Sequence, residues 1–147
     1  MVTERERAAE RGYADPVHPS VEATHKSYNS CVETLLTRCP RPHRTSVMIA
    51  THNTESVTRA AKLLMSGESH VPPEHVAFGQ LMGMADHLTY GLAAAKLKAY
   101  KYVPYGPVRE VMPYLIRRAQ ENADALSGSS TQRAMMLTEV RRRCIGW

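Results

Sequence analysis

No apolar stretch of this chain approaches the ~20 residues that a membrane-spanning helix needs, so no transmembrane segment is expected. No Cys-x-x-Cys pair occurs, and Cys31, Cys39 and Cys144 are an odd number. That pattern fits core or surface thiols in a reducing compartment rather than a disulfide frame or a zinc site. The histidines form no His-Glu-x-x-His pattern; His70 and the Glu74-His75 pair come near a metal spacing and miss it, so no metal is expected. No basic run is interleaved with aromatics, and the net charge of +5 fits lysines and arginines scattered over solvated helix faces. No nucleic-acid partner is therefore expected. The opening residues MVTERERAAERGY have no apolar centre, and Glu4, Glu6 and Glu10 break the acid-poor composition of a transit peptide. A Ser-His-Asp order, carboxylates paired at strand ends and a phosphate-cradling glycine loop are missing too.

What is present is an alternation. The 147 residues, 43% hydrophobic and 22% charged, suit one ordinary globular domain. Ser20 can cap a helix running to about Arg38, with Tyr28, Cys31, Val32, Leu35 and Leu36 as its apolar face; Pro40 and Pro42 end it. Ser46–Ala50 is a short apolar run, expected as a strand buried on both faces. Asn53 or Thr54 caps the next helix, which runs to about Ser66 with Val57, Ala60, Ala61 and Leu64 inward and Gly67 beyond its end. After Pro72-Pro73, His75–Leu81 reads as a second buried strand. A helix follows over roughly Ala85–Leu97, and Ala99–Val103 reads as a third buried strand. Pro107 suits the first turn of a further helix, whose stripe is Val108, Val111, Met112, Leu115, Ala119 and Leu126. A Gly/Ser break at 127–130 precedes a polar helix around Gln132–Arg143. Helix, then strand–helix three times, is the order of a parallel α/β sheet or barrel. Three strands cannot close a barrel of eight, so the chain is a small doubly wound sheet or the C-terminal part of a larger barrel.

Candidate chemistry gathers where strands end. Thr51, His52 and Asn53 lie at a strand-to-helix junction, where free backbone N–H groups suit an anion; equally, Asn53 is a plain cap and His52 a loop histidine. Tyr102 and Tyr105 bracket the end of the third strand and either cover a small ring or pack the rim. Arg117 and Arg118, about 100° apart on a helix, suit a carboxylate gripped between two guanidinium forks. The competing reading is a solvated arginine pair with Glu121 in an i,i+4 salt bridge.

Four segments carry a resemblance: VMIATHN (47–53), FGQLMGM (78–84), YKYVPYGPV (100–108) and YLIRRAQEN (114–122). They resemble the C-terminal half of the FAD-dependent proline dehydrogenase barrel. ERERAAERGY (4–13), DPVHPSVEAT (15–24) and the 132–143 tail extend the likeness over nearly the whole chain. The resemblance implies an α/β fold: about strands 6–8 and their helices, the C-terminal part of a (β/α)8 TIM-like barrel, over residues 1–128, with a helical tail over 129–147. It implies FAD across the C-terminal face and hydride transfer from proline to the flavin, giving Δ1-pyrroline-5-carboxylate. Electrons then pass to a membrane quinone, at the matrix side of the mitochondrial inner membrane. Arg117 and Arg118 match the carboxylate-binding arginines, Tyr102 the tyrosine that packs on the proline ring, and Leu81 a leucine of the substrate pocket. Thr51, His52 and Glu121 match cofactor-contacting positions. No side-chain base is implied from this half.

The family's fifth strand, which ends in Gly-Ala-Tyr, and the strands before it have no counterpart here. The expectation is therefore a truncated product or one part of a split protein, inactive until the N-terminal half of the barrel completes it. Two alternatives accompany this reading. One is a non-enzymatic product that binds a partner through its open sheet edge. The other is a 4-hydroxyproline dehydrogenase, since IRRAQEN also looks like that branch. Tyr102 argues for proline, because the hydroxyproline branch carries a smaller residue there.

Overall fold

The computed structural model describes residues 2–122 and 129–145, with side chains described over 4–119 and for part of 133–144. The chain divides into two compact units, Met1–Val47 with Asn53–His75, and Met48–His52 with Val76–Trp147.

The first unit is helical. α1 (Val2–Arg11) has no counterpart among the expected elements. It is short and highly charged, and Ala8 is its one buried residue among those described, so no apolar periodicity marks it. α2 (Val21–Thr37) starts where expected, with Ser20 Oγ accepting from Ala23 N at 3.1 Å. Its buried face differs from the expected one. Asn29, Val32 and Leu36 are inside, while Cys31 and Leu35 are exposed. Spacings of three and four residues make a narrow stripe, which leaves positions one residue away turned outward. α3 (Thr54–Ser66) packs against α2 and buries Val57, Ala60 and Leu64. Asn53 is its cap, accepting from Ser56 N at 2.9 Å, and Gly67 ends it in the left-handed conformation at φ 78°.

The second unit carries a three-stranded sheet in the order β1-β2-β3. β1 is Val47–Ala50, β2 is Val76–Leu81 and β3 is Lys98–Tyr102. β2 and β3 run parallel, with Gly79 opposite Tyr100 and Leu81 opposite Tyr102. Side chains alternate between the faces of a strand. One face, here called the back, carries Ile49, Val76, Phe78, Gln80 and Lys101. The other, the front, carries Met48, Ala50, Gly79, Leu81, Tyr100 and Tyr102. A Cβ added to Gly79 would meet Met48 Sδ at 3.4 Å and Ala50 Cβ at 3.8 Å, which places these three on one side.

Two strand expectations are corrected here. β1 and β3 are not buried on both faces: Met48 is 63% exposed, and Tyr100 and Tyr102 are each 55% exposed. A continuous apolar run requires cover on both sides to be buried, and the front face leaves Met48, Tyr100 and Tyr102 each more than half exposed. β3 also starts one residue earlier than expected and stops before Val103, ahead of Pro104, which has no N–H to donate to a ladder.

α4 (Asp86–Ala94) is shorter than expected. Lys96 turns left-handed at φ 58°, and Leu97 N bonds Leu92 O at 2.9 Å, a Schellman-type stop without glycine. α5 (Val108–Asn122) begins after Pro107 as expected, but its apolar stripe is not buried. Val108, Met112 and Leu115 are exposed, and Leu126 lies outside the described residues. Periodicity states which residues share a face, and a second element must still cover that face. α6 (Ser129–Ile145) closes the unit.

Candidate active site

The C-terminal ends of the strands bring together most of the residues singled out from the sequence. Thr51 N extends the ladder past β1 by donating to Gly79 O at 3.2 Å. His52 follows, half-buried, and its Nε2 accepts from Leu81 N at 2.9 Å. A ring nitrogen that accepts a backbone N–H carries no proton, so the proton of this histidine sits on Nδ1. Burial, and secondarily the Lys101 charge, hold His52 below the ordinary histidine range. His52 is thus a neutral histidine bonded to the strand beside it, with Nδ1–H as a donor.

Leu81 and Tyr102 are register partners on the front face, and Met82 N donates to Tyr102 O at 3.1 Å. The Tyr102 ring lies 5.6 Å from the Tyr114 ring, tilted by 55°. The Arg118 guanidinium in turn stands 5.6 Å from the centre of the Tyr114 ring. Tyr114 and Arg118 are one helical turn apart, so a strand-end tyrosine, a helix tyrosine and an arginine form a continuous stack.

The adjacent arginines are thereby separated in role. Arg118 is half-buried on the stack, whereas Arg117 is exposed. Tyr105 is 91% exposed. The Glu121 side chain lies outside the described residues. Tyr114 was not singled out from the sequence; the signal available was its i,i+4 spacing to Arg118.

The turn after β2 completes the rim. Gly83 at φ 76° and Ala85 at φ 52° are both left-handed. For Ala85 that conformation costs about 1–2 kcal/mol, so the surrounding contacts must hold it.

Chemically, the stack offers one half-buried cation beside two aromatic faces, which suits a small ring bearing a carboxylate. His52 and Thr51, at the adjoining strand end, are of hydrogen-bond donor type. An α/β unit with parallel strands and a half-buried arginine near their C-terminal ends has the layout of a barrel-type or doubly wound enzyme site.

Comparison with known proteins gives the family. The family model described as Proline dehydrogenase matches residues 1–131. Human "Proline dehydrogenase 1, mitochondrial" is 41% identical over 143 residues, which cover 97% of this chain and 24% of that protein. Bovine "Hydroxyproline dehydrogenase" is 45% identical over 148 residues, covering 97% of this chain and 31% of that protein. The solved structure of proline utilization A (PutA) from Bdellovibrio bacteriovorus, inactivated by N-propargylglycine, superposes with a TM-score of 0.68. It is 25% identical and covers 82% of this chain and 12% of that one. The chain belongs to the proline dehydrogenase family. It spans between about a quarter and a third of the length of these two curated relatives.

Proposed function

We propose that this chain supplies the C-terminal part, about strands 6–8 and their helices, of a (β/α)8 barrel that oxidises L-proline to Δ1-pyrroline-5-carboxylate. In this reading residues 1–128 belong to the barrel and 129–147 form a helical tail. The observation that carries it is the unbroken line of contacts from His52 through Leu81, Tyr102 and Tyr114 to Arg118, at the C-terminal ends of adjacent strands.

Arg118 and Arg117 grip the substrate carboxylate. The stack with Tyr114 fixes Arg118, and exposed Arg117 reaches in over it. The Tyr102 ring packs on the proline ring, and Leu81 beside it closes the wall. This orients the substrate without a side-chain base. Thr51, His52 and Glu121 contact the cofactor. The donor set fits a flavin, because neutral His52 keeps its proton on Nδ1 and a hydroxyl precedes it, and both suit the acceptor atoms of the ring edge. Ala50 and Gly79, on the same face, carry little or no side chain, with Met48 beside Gly79. When bound, FAD would supply the hydride acceptor for the proline ring carbon and the route by which electrons would leave for a membrane quinone.

The relatives named mitochondrial support a site of action at the matrix side of the inner membrane. Among the described residues no helix is long and apolar enough to cross a membrane. The identity to bovine hydroxyproline dehydrogenase favours 4-hydroxyproline as a second reading of the substrate. Tyr102 supports proline as the first reading, since a ring packed on the substrate there would give a 4-hydroxyl neither room nor partner.

Flavin absorbance tests the proposal. In a full-length family barrel carrying this segment, L-proline is expected to bleach the bound flavin. The 147 residues alone are expected to hold FAD weakly or not at all. A full-length barrel whose bound flavin proline leaves oxidised would refute the activity, and stoichiometric flavin on the isolated segment would refute the incomplete-site reading.

A further inference from the structure

Position 101 is unusual for its place. It lies on the back face of β3, the strand against which α4 packs, and an apolar residue is the norm there. Instead a lysine occupies it, 17% exposed. Its ammonium has three protons and three acceptors around it. Asp86 Oδ1 lies at 2.8 Å and Gln80 Oε1 at 3.3 Å, and the Met84 carbonyl accepts the third bond. Gln80 Oε1 also accepts from the Thr89 hydroxyl, which fixes the amide orientation, since a flipped amide would present its NH2 to the ammonium. The acceptors come from β2, from the turn after it and from the first residue of α4. The same turn holds left-handed Gly83 and Ala85.

We propose that Lys101 is a positioning residue that holds the turn Leu81–Ala85 in its strained shape, and through it sets Leu81 and Met82 at the substrate rim. Three hydrogen bonds donated by backbone N–H groups at the rim depend on where this turn sits. They are Leu81 N to His52 Nε2, Met82 N to Tyr102 O, and Met84 N to Leu81 O. Lys101 itself faces away from the substrate side, because the next residue along the strand, Tyr102, points to the front. A partly buried ion pair is weak evidence of stabilisation, since an apolar replacement is often as stable. What the cation adds is a single geometry, because it bonds three chemically different groups at once.

Two measurements test this. The first is amide hydrogen exchange in the 147-residue chain. Lys101→Met is expected to speed exchange at Leu81, Met82 and Met84 by about tenfold or more, with Arg38 and Val57 unchanged. Lys101→Arg is expected to restore most of the protection. Unchanged exchange at the three rim amides overturns the proposal, and so does equal acceleration everywhere, which marks a merely structural role. If Lys101→Met fails to fold, Asp86→Asn removes one of the three partners and is expected to show the same local pattern more weakly; unchanged rim exchange there overturns the proposal.

The second measurement rests on the reading of Leu81 as substrate wall. In a flavin-loaded full-length barrel carrying this segment, Lys101→Met is expected to raise the proline KM about tenfold and leave kcat within about threefold. Loss of kcat at unchanged KM contradicts the positioning role. If the unmutated barrel does not oxidise proline at all, the proposed function fails while the exchange result still decides the role of Lys101.

Discussion

The two faces of the three-stranded sheet contrast sharply. On the back, Ile49, Val76 and Phe78 are each about 1% exposed, and the polar residues among them, Gln80 and Lys101, are bonded to one another and to α4. On the front, Met48, Tyr100 and Tyr102 are each more than half exposed. The same strands thus hold a finished interior and an open wall. The back face is the packed side of the sheet. The front face is the exposed side, and in the proposed function it is the side that meets substrate and cofactor.

The largest effect that can break this contrast is on folding. Phe78→Ala is expected to lower stability by about 3–5 kcal/mol, since it opens a cavity in a filled layer. Tyr100→Ala, on the front of the neighbouring strand, is expected to cost under about 1 kcal/mol. Urea unfolding of the two variants compares the faces, and equal losses would show that the front wall is structural as well.

Next in size is the separation of the arginines. In a full-length barrel carrying this segment, Arg118→Met is expected to cost on the order of 2–5 kcal/mol in kcat/KM for proline, because the substrate carboxylate loses its half-buried partner. Arg117→Met is expected to cost less, since its side chain starts from solvent. The reverse ranking would mean that the stack on Tyr114 serves packing alone.

Substrate choice gives a smaller effect. Burying an unpaired hydroxyl costs roughly 1–3 kcal/mol, so proline is expected to be preferred over 4-hydroxyproline by about tenfold to a hundredfold. Tyr102→Ser should narrow that ratio. Kinetics on both substrates decide it, and equal use by the unmutated protein would show that this position does not set the choice.

The smallest effect is the pH dependence of His52. Its native pKa lies below the ordinary 6.5, so the neutral form is the one that folding favours. Unfolded chains bind the proton first as pH falls. The stability it contributes is therefore complete above about pH 6.5 and is lost as pH drops through the native value. Urea midpoints at pH 7.5 and 5.5 should differ less for His52→Gln than for the unmutated chain. An unchanged difference would mean that His52 does not report on the rim.

Much of this architecture was legible in the sequence, for identifiable reasons. The Ser20 and Asn53 caps, the Gly67 stop and the alternation of strands and helices are local signals, and local hydrogen bonds realise them. α1 escaped because charged residues fill it and a single buried alanine gives no period. The burial of β1, β3 and α5 was overestimated, because an apolar pattern does not say what lies opposite. At the site, segment resemblance picked out Thr51, His52, Leu81, Tyr102 and the arginine pair. The Tyr114 link and the division between Arg117 and Arg118 required coordinates, since both depend on how α5 meets the end of β3. Lys101 was invisible as a participant, because its meaning lies in three acceptors from other elements.

The most direct test is a crystal structure of a flavin-loaded full-length barrel carrying this segment, with L-proline bound. The prediction is a carboxylate within about 3 Å of the Arg118 and Arg117 guanidiniums, with the proline ring against Tyr102 and Leu81. Proline bound away from the front-face rim, with Arg118 making no contact to its carboxylate, would contradict the account.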